Sequence, residues 1–154
     1  FVALMNRKAR ELGLTGTHYR NPHGLDEAGH HSTARDIAVL LRDALRVPAI
    51  RRYAGMSRAT LSDGRVVEST DNLLGRVRGI VGGKTGHTAD AGWSQAAFAR
   101  VGRVGITAVV LGSPDEAQRD RDLAALLRFG LSSYRSAEVV DPARTYAAGP
   151  VGWG

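Results

Sequence analysis

The 154-residue sequence predicts an α+β fold in which an antiparallel sheet is flanked by helices. Three strand-like stretches, at about residues 80–88, 93–100 and 104–111, are joined by short connections that contain glycine, a pattern typical of an antiparallel meander. Amphipathic helical patterns precede and follow these stretches. The composition, with 43% hydrophobic and 23% charged residues, is that of a globular domain.

The first half of the chain predicts helices separated by loops. The apolar residues of the first helix, which share one face, are Phe1, Leu4, Met5, Ala9 and Leu12. Gly13 is in the position where a glycine commonly ends a helix. An extended segment at 14–20 and a turn at 21–24 follow. Thr33 is the expected N-cap of a second helix, and Pro48 the expected first residue of a short third helix.

The second half predicts a hairpin before the meander and a long helix after it. Residues 58–61 and 65–68 flank the turn residues Asp63-Gly64. The last helix is expected to start with a capping box in which Ser113 is the N-cap and Pro114 the first helical residue. Its predicted core-facing residues are Leu123, Leu126, Leu127, Leu131 and Tyr134. Residues 1–136 are expected to belong to one domain, and residues 137–154 to a linker or the start of a second domain.

Charge and histidine spacing restrict the classes of ligand. The net charge of +6 comes mainly from arginines dispersed along the chain without interleaved aromatic residues, so nucleic-acid binding is not expected. The absence of cysteine excludes disulfides and thiolate metal sites. Four histidines fall in one loop-rich region without the spacing of metal ligands, so no metal and no other cofactor is expected. No window of about 18 apolar residues predicts a membrane span.

The stretch 80–88 contains the candidate functional residues Lys84, Thr85, Gly86 and His87. Side chains alternate along a strand, so Lys84 and Gly86 share one face unless the strand twists. Gly86 lacks a Cβ atom and lets another backbone approach. A free strand edge beside an ammonium and a hydroxyl group suits a peptide that ends in a carboxylate.

Blocks on both sides of this stretch resemble, in the same order, the low-molecular-mass penicillin-binding proteins, which are serine D-alanyl-D-alanine carboxypeptidases. These blocks include Asn21-Pro22-His23-Gly24-Leu25-Asp26, Ser32-Thr33-Ala34-Arg35-Asp36, Asn72-Leu73-Leu74, Gly83-Lys84-Thr85-Gly86-His87-Thr88 and Val109-Val110-Leu111-Gly112. The resemblance covers residues 1 to about 136. It implies a β-lactamase/transpeptidase-like fold, of which this chain is a partial domain.

The resemblance implies acyl transfer from the D-Ala-D-Ala terminus of a peptidoglycan stem peptide to a serine, followed by hydrolysis, with β-lactam antibiotics as inhibitors. It also implies three motifs, Ser-x-x-Lys, Ser-x-Asn and Lys-Thr-Gly, of which only the third occurs. Ser132-Ser133-Tyr134-Arg135 and Thr70-Asp71-Asn72 do not qualify, because their positions or residues differ from the pattern. We therefore expect the N-terminal half of the domain, with the nucleophile, to lie outside this chain, which alone is expected to be inactive.

The resemblance also assigns roles to the four residues. Lys84 supplies positive potential for the terminal carboxylate and supports the catalytic proton network, and the Thr85 hydroxyl binds the same carboxylate. Gly86 makes room for the substrate backbone, and the His87 backbone N–H stabilises the oxyanion. The alternative for each is a structural role: a surface lysine, a packing threonine, a bulge glycine and a histidine at the rim of the pocket.

Three alternative functions remain open at this stage. The chain could be a non-catalytic fragment that binds peptidoglycan or docks onto another chain, or it could belong to a D,D-endopeptidase or a β-lactamase. The family resemblance implies an exported protein of the cell envelope, with any membrane anchor in segments outside this sequence.

Overall fold

The computed structural model describes residues 1–135, 137, 143, 145 and 147. In order along the chain, its elements are α1 (Val2–Glu11), α2 (Ala34–Ala44), α3 (Pro48–Ala54), β1 (Arg58–Thr60), β2 (Val66–Glu68), β3 (Ile80–Thr88), β4 (Gly92–Val101), β5 (Val104–Ser113) and α4 (Glu116–Ser133). The segment 137–154, predicted as a linker or the start of another domain, lies almost entirely outside the described residues.

The central sheet has the strand order β3-β4-β5, and both pairings are antiparallel. Lys84 pairs with Ala96, and Ala99 pairs with Ile106. Helix α4 packs on one face of the sheet, and α2 packs on the other face. The prediction of an antiparallel sheet flanked by helices is confirmed, and β3 lies at one end of the sheet.

The core forms where small strand residues let the helices approach. The buried residues on the α4 side of the sheet are Leu73, Val77, Ala97, Ala99, Ala108, Leu123, Ala124 and Leu127. Those on the α2 side are Leu41, Leu45 and Ala96. Leu123 and Leu127 are completely buried, and each such side chain contributes about 1.5–3 kcal/mol before conformational entropy is subtracted.

Most predicted helix and turn boundaries are confirmed. The Thr33 hydroxyl caps α2 by accepting a hydrogen bond from the Asp36 N–H at 3.2 Å. Pro48 is the first residue of α3, where its missing N–H costs no helical hydrogen bond. Gly13, with φ of +68°, follows α1, and Gly64, with φ of +83°, forms the turn of the β1–β2 hairpin.

The predicted capping box of α4 is wrong. Ser113 is the last residue of β5, where it pairs with Trp93, so it is not available as a cap. Asp115 is the N-cap instead, and its carboxylate accepts a hydrogen bond from the Gln118 N–H at 2.7 Å. Pro114 therefore connects β5 to α4 and is not the first helical residue.

The predicted apolar faces of α1 and α4 are only partly covered. In α4, Leu126 is 46% exposed, whereas Tyr134 lies beyond the end of the helix and is 67% exposed. At the start of α1, the N-cap residue Phe1 is 83% exposed and Leu4 is 49% exposed, and Ala9 is the buried residue of the helix. Helical spacing alone therefore overestimated how much of these two faces the described residues bury.

Candidate functional site

The Lys-Thr-Gly stretch lies in the second half of β3, on an end strand of the central sheet. Among the residues that the structure describes, no backbone group outside the sheet forms a hydrogen bond with β3 between Gly82 and Thr88. The outer edge of the strand is thus open where Lys84, Thr85, Gly86 and His87 follow one another. An open edge beside polar side chains can add an extended peptide as a further strand.

Lys84 lines an apolar cavity of about 300 Å³ between β3, β4 and helix α2. Ile37, Leu40, Leu41 and Ala44 form the helical wall of this cavity. The Lys84 ammonium donates a hydrogen bond to the Thr85 carbonyl oxygen, and it forms no ion pair with a carboxylate of the described residues. Its charge is therefore available to an anionic ligand.

The Thr85 hydroxyl lies on the opposite face of β3 and forms a 2.6 Å hydrogen bond with the Thr70 hydroxyl. Both residues nevertheless border the same cavity, and the Lys84 ammonium bonds to the Thr85 carbonyl oxygen. Thr70 lies in the segment that leads into β3, and the next residue, Asp71, packs over Gly83. The segment Thr70-Asp71-Asn72 does not match a catalytic motif, but through Thr70 it helps to hold the Thr85 side chain in place.

Gly86 lies in open space, because a Cβ atom added there would meet no described atom within 4 Å. Its φ angle is not positive, and the β3 bulge lies earlier, between Ile80 and Gly82. The alternative role as a bulge or turn glycine therefore does not apply to Gly86. Gly83 differs, since a Cβ atom there would lie 2.5 Å from the Ala96 carbonyl oxygen.

His87 is paired with Trp93 across the β3–β4 ladder. Their ring centroids are 4.1 Å apart, with an interplanar angle of 31°. On the α4 side, the Arg119 guanidinium lies 5.5 Å from the centroid of the Trp93 ring. Three side chains from two strands and a helix therefore stack in the order Arg119, Trp93, His87, and only His87 is exposed.

Two carboxylates hold Arg119, whose side chain is 1% exposed. Its guanidinium donates to Asp120 at 2.6 Å and to Glu116 at 3.2 Å. The Asn72 amide donates to the same two residues, at 3.0 Å to Asp120 and 3.2 Å to Glu116. The first turns of α4 are thereby tied to the segment that contains Thr70 and to the ring stack at His87.

The loop after α1 is attached to the far end of β3. The Thr88 hydroxyl donates to Asp26 at 2.7 Å and accepts from the Ala91 N–H at 3.0 Å. Within the loop, the Asn21 side chain accepts from the Gly24 N–H at 2.8 Å. The His23 ring accepts from the Leu25 N–H at 3.2 Å, so it stabilises its own turn.

Asp36 at the start of α2 fixes the segment before it. The Thr17 hydroxyl and the Gly16 N–H each donate to its carboxylate at 2.8 Å. The hydrogen bond from Thr17, then that from Gly16 and the nearby Arg35 guanidinium, hold the pKa of Asp36 below its ordinary value of 3.8, although burial acts in the opposite direction. Asp36 therefore has a structural role here.

Three buried side-chain atoms on the Thr85 face of the sheet have no hydrogen-bond partner among the described residues. They are Asp71 Oδ2 and both amide atoms of Gln95, which pairs with Thr85 across the ladder. The described residues contain no group of three or more histidine or acidic side chains arranged to hold a metal ion. Within the same part of the chain, no helix has the length and apolar character needed to cross a membrane.

Arg119 and the connections made by Thr70 and Trp93 were not predicted from the sequence. The His87–Trp93 pair could have been found, because a short connection after Thr88 aligns Thr88 with Gly92 and thus His87 with Trp93. The contacts of Thr70 and Arg119 depend on tertiary packing, and no local sequence pattern predicts them. The functional roles assigned to Lys84, Thr85, Gly86 and His87 remain predictions.

The sequence is similar to those of known D-alanyl-D-alanine carboxypeptidases. The sequence model of the D-alanyl-D-alanine carboxypeptidase family, Peptidase_S11, matches residues 1–115. The D-alanyl-D-alanine carboxypeptidase DacF of Bacillus subtilis is 34% identical over 140 residues, which are 88% of this chain and 36% of that protein. The corresponding enzyme DacB2 of Mycobacterium tuberculosis is 39% identical over 117 residues, which are 72% of this chain and 40% of that protein.

Solved structures show the same fold. Penicillin-binding protein D2 of Listeria monocytogenes, in its ampicillin-bound form, has a TM-score of 0.78 and 29% sequence identity. The similarity covers 84% of this chain and 55% of that structure. The chain thus spans well under half of the length of the two curated relatives and about half of a structure with the penicillin-binding-protein fold.

Proposed function

The chain belongs to the D-alanyl-D-alanine carboxypeptidase family, and on this premise we propose that it forms the part of a serine carboxypeptidase that binds the substrate carboxylate and the oxyanion. The substrate is a peptidoglycan stem peptide that ends in D-Ala-D-Ala. The main support is Lys84, whose ammonium has no described carboxylate partner and lines a cavity on an end strand with an open edge.

The edge of β3 supports a peptide bound as an added strand. The Thr85 carbonyl accepts a hydrogen bond from the Lys84 ammonium, so it is directed away from the ladder with β4. Backbone groups of alternate residues point to the same side of a strand, so those of His87 point outward as well. This direction suits the assignment of the His87 N–H as an oxyanion donor.

The proposed reaction has two steps. A serine Oγ forms an ester bond with the carbonyl carbon of the penultimate D-alanine, the C–N bond breaks, and the terminal D-alanine leaves with a proton on its nitrogen. Water then hydrolyses the ester, which releases the shortened peptide and returns the proton to the serine. In both steps the transient negative charge on the carbonyl oxygen is stabilised by backbone N–H donors.

The nucleophile is proposed to come from a segment outside the 154 residues, since these contain no Ser-x-x-Lys sequence. The same arrangement would accept β-lactam antibiotics, which resemble the substrate terminus and acylate the serine. We also propose that the whole protein acts at the cell envelope, where its substrate is found.

The experiment that tests this proposal compares the two lysines of the chain in the whole protein. Lys84→Ala removes the cation from the open edge, whereas Lys8→Ala removes the same charge from a surface ion pair with Asp43. We expect Lys84→Ala to lower the rate of labelling by a fluorescent penicillin by about tenfold to a hundredfold, since charge-assisted contacts contribute roughly 1.5–3 kcal/mol. Lys8→Ala should label like the unmodified protein.

Thermal unfolding of both variants completes the comparison. Because the Lys84 side chain is exposed, its replacement should leave the midpoint of unfolding almost unchanged. If Lys84→Ala is folded and is labelled as fast as Lys8→Ala, Lys84 does not have the proposed role.

A further inference from the structure

The end of β3 pairs regularly with β4, up to His87–Trp93 and Thr88–Gly92, but at this point β4 itself is paired irregularly with β5. On β4, one residue, Ser94, separates Trp93 from Gln95, but two residues of β5 separate their partners, Ser113 and Val110. The β4–β5 register therefore shifts at Trp93, so this end of the β3–β4 pair lacks regular support from β5. A side-chain contact across the β3–β4 ladder can therefore add to the restraint on His87.

The ring stack provides such a restraint. The Trp93 ring contacts the His87 imidazole at a centroid separation of 4.1 Å, and the Arg119 guanidinium lies 5.5 Å from the centroid of the Trp93 ring. Stacked rings and a cation on a ring face both favour defined geometries. Arg119 is itself immobilised, because its buried guanidinium is bonded to Asp120 and Glu116.

We propose that Trp93 is a positioning residue, which holds the His87 ring and thereby fixes the direction of the His87 backbone N–H at the end of β3. This inference rests on the proposed function, in which that N–H stabilises the oxyanion. Trp93 acts through His87 and does not contact the reacting atoms. Arg119 braces the ring of Trp93 from the α4 side.

Loss of this positioning is expected to affect kcat and not KM. An oxyanion donor contributes most in the transition state, so a misdirected N–H lowers kcat and leaves KM nearly unchanged. Small displacements of groups that act on the reacting centre cost about a hundredfold in rate. If Trp93 had a purely structural role, its replacement would lower stability without lowering kcat selectively.

The test uses Trp93→Met in the whole protein, with Phe98→Met as the matched control. Phe98 lies on the same strand, faces the α2 side and also has an arginine near its ring, with Arg100 at 5.6 Å from the centroid. We expect Trp93→Met to lower kcat for release of D-alanine by about tenfold to a hundredfold, with KM changed by less than about threefold. Trp93→Phe should restore most of the rate, and Phe98→Met should leave kcat unchanged.

A double-mutant cycle separates positioning from general destabilisation. If Trp93 acts through the His87 ring, Trp93→Met should have little further effect on kcat once His87→Ala is present. Independent effects of the two substitutions would overturn the proposal, and so would equal losses of kcat in Trp93→Met and Phe98→Met.

One measurement does not depend on turnover. The NMR order parameter of the His87 N–H should fall in Trp93→Met and stay unchanged in Phe98→Met. An unchanged order parameter in both variants would overturn the positioning role. An unmodified protein that releases no D-alanine would instead refute the proposed function, and the order parameters would still decide the role of Trp93.

Discussion

At the scale of single residues, the hydroxyl groups of Thr70 and Thr85 form the shortest link between the Lys-Thr-Gly stretch and the segment that precedes β3, at 2.6 Å. A hydroxyl group can donate one hydrogen bond and accept others, so Thr85 can keep Thr70 as a partner while it binds a carboxylate. Thr70 thereby determines in which direction the Thr85 hydroxyl is presented.

This link leads to a prediction for Thr70→Val, which removes the hydroxyl and keeps the shape of the side chain. We expect the KM for a peptide that ends in D-Ala-D-Ala to rise by about fivefold, because the lost orientation corresponds to about 1 kcal/mol. Thr70→Ser should restore the original KM. Thr107→Val is the control, since the Thr107 hydroxyl on β5 forms no hydrogen bond with a described residue. Steady-state kinetics of the three variants would show whether only Thr70→Val changes KM.

The same scale shows how far residue types could be interpreted from the sequence alone. Lys84, Thr85, Gly86 and His87 were identified by residue type and by the blocks around them, and the structure places all four on an open strand edge. The supporting role of Arg119 could not be identified, because its contact with Trp93 joins positions that are distant in the sequence. A buried arginine in an amphipathic helix has the same local pattern as an exposed one.

At the scale of secondary-structure elements, the start of α2 depends on a carboxylate with two functions. Asp36 follows the Thr33 cap, where a negative charge is favourable at the helix N-terminus, and it also accepts hydrogen bonds from Thr17 and Gly16. Because one residue stabilises both the helix start and the preceding loop, its ionisation affects both.

Stability should therefore depend on pH in a defined direction at Asp36. Its folded-state pKa lies below the ordinary value of 3.8, so the ionised form stabilises the fold above that pH. This stabilisation is lost as the pH falls through the lower folded-state pKa. We expect Asp36→Asn to lower Tm by several degrees near pH 7 and the difference from the unmodified protein to shrink below about pH 4.

Asp63→Asn serves as the comparison for that measurement. Hydrogen bonds from Arg65 also hold the pKa of Asp63 below its ordinary value, but the pair lies in an exposed hairpin, so its loss should change Tm little at any pH. Thermal unfolding followed by circular dichroism over a range of pH values would give the Tm difference between each variant and the unmodified protein. A Tm difference for Asp36→Asn that stays constant from neutral to strongly acidic pH would contradict the assignment.

Element boundaries show where local sequence rules compete. Ser113, Pro114 and Glu116 satisfy the pattern of a capping box, yet Ser113 stays in the sheet because β4 offers it a partner in Trp93. Asp115 then caps the helix, two residues later than the pattern predicts. Strand pairing is a tertiary interaction, so it can override a cap that the sequence alone favours.

At the scale of the whole molecule, arginines that are dispersed in the sequence converge in space. Six of them line one open groove of about 1030 Å³, formed by α2, α3 and the β4–β5 hairpin: Arg35, Arg42, Arg46, Arg51, Arg100 and Arg103. No carboxylate of the described residues lines this groove. Sequence order indicates the number of charges, but only the fold determines which of them become neighbours.

The proposal that the nucleophile lies outside these 154 residues leads to a prediction for the isolated chain. Since the 154 residues contain no Ser-x-x-Lys sequence, fluorescent penicillin should give no covalent band with this chain alone. The whole protein should give a band of its full size under the same conditions. A covalent band on the isolated chain, located by mass spectrometry to one of its serines, would contradict the proposed origin of the nucleophile.

The ties between α4 and β3 also have a consequence for the time at which the site becomes ordered during synthesis. The ribosome completes β3 before it makes Glu116, Arg119 and Asp120, whose contacts reach Trp93 and Asn72. A nascent chain that ends before α4 therefore has the complete Lys-Thr-Gly motif without the contacts that steady it. The order of translation makes ligand recognition by this segment one of the last properties that the growing polypeptide acquires.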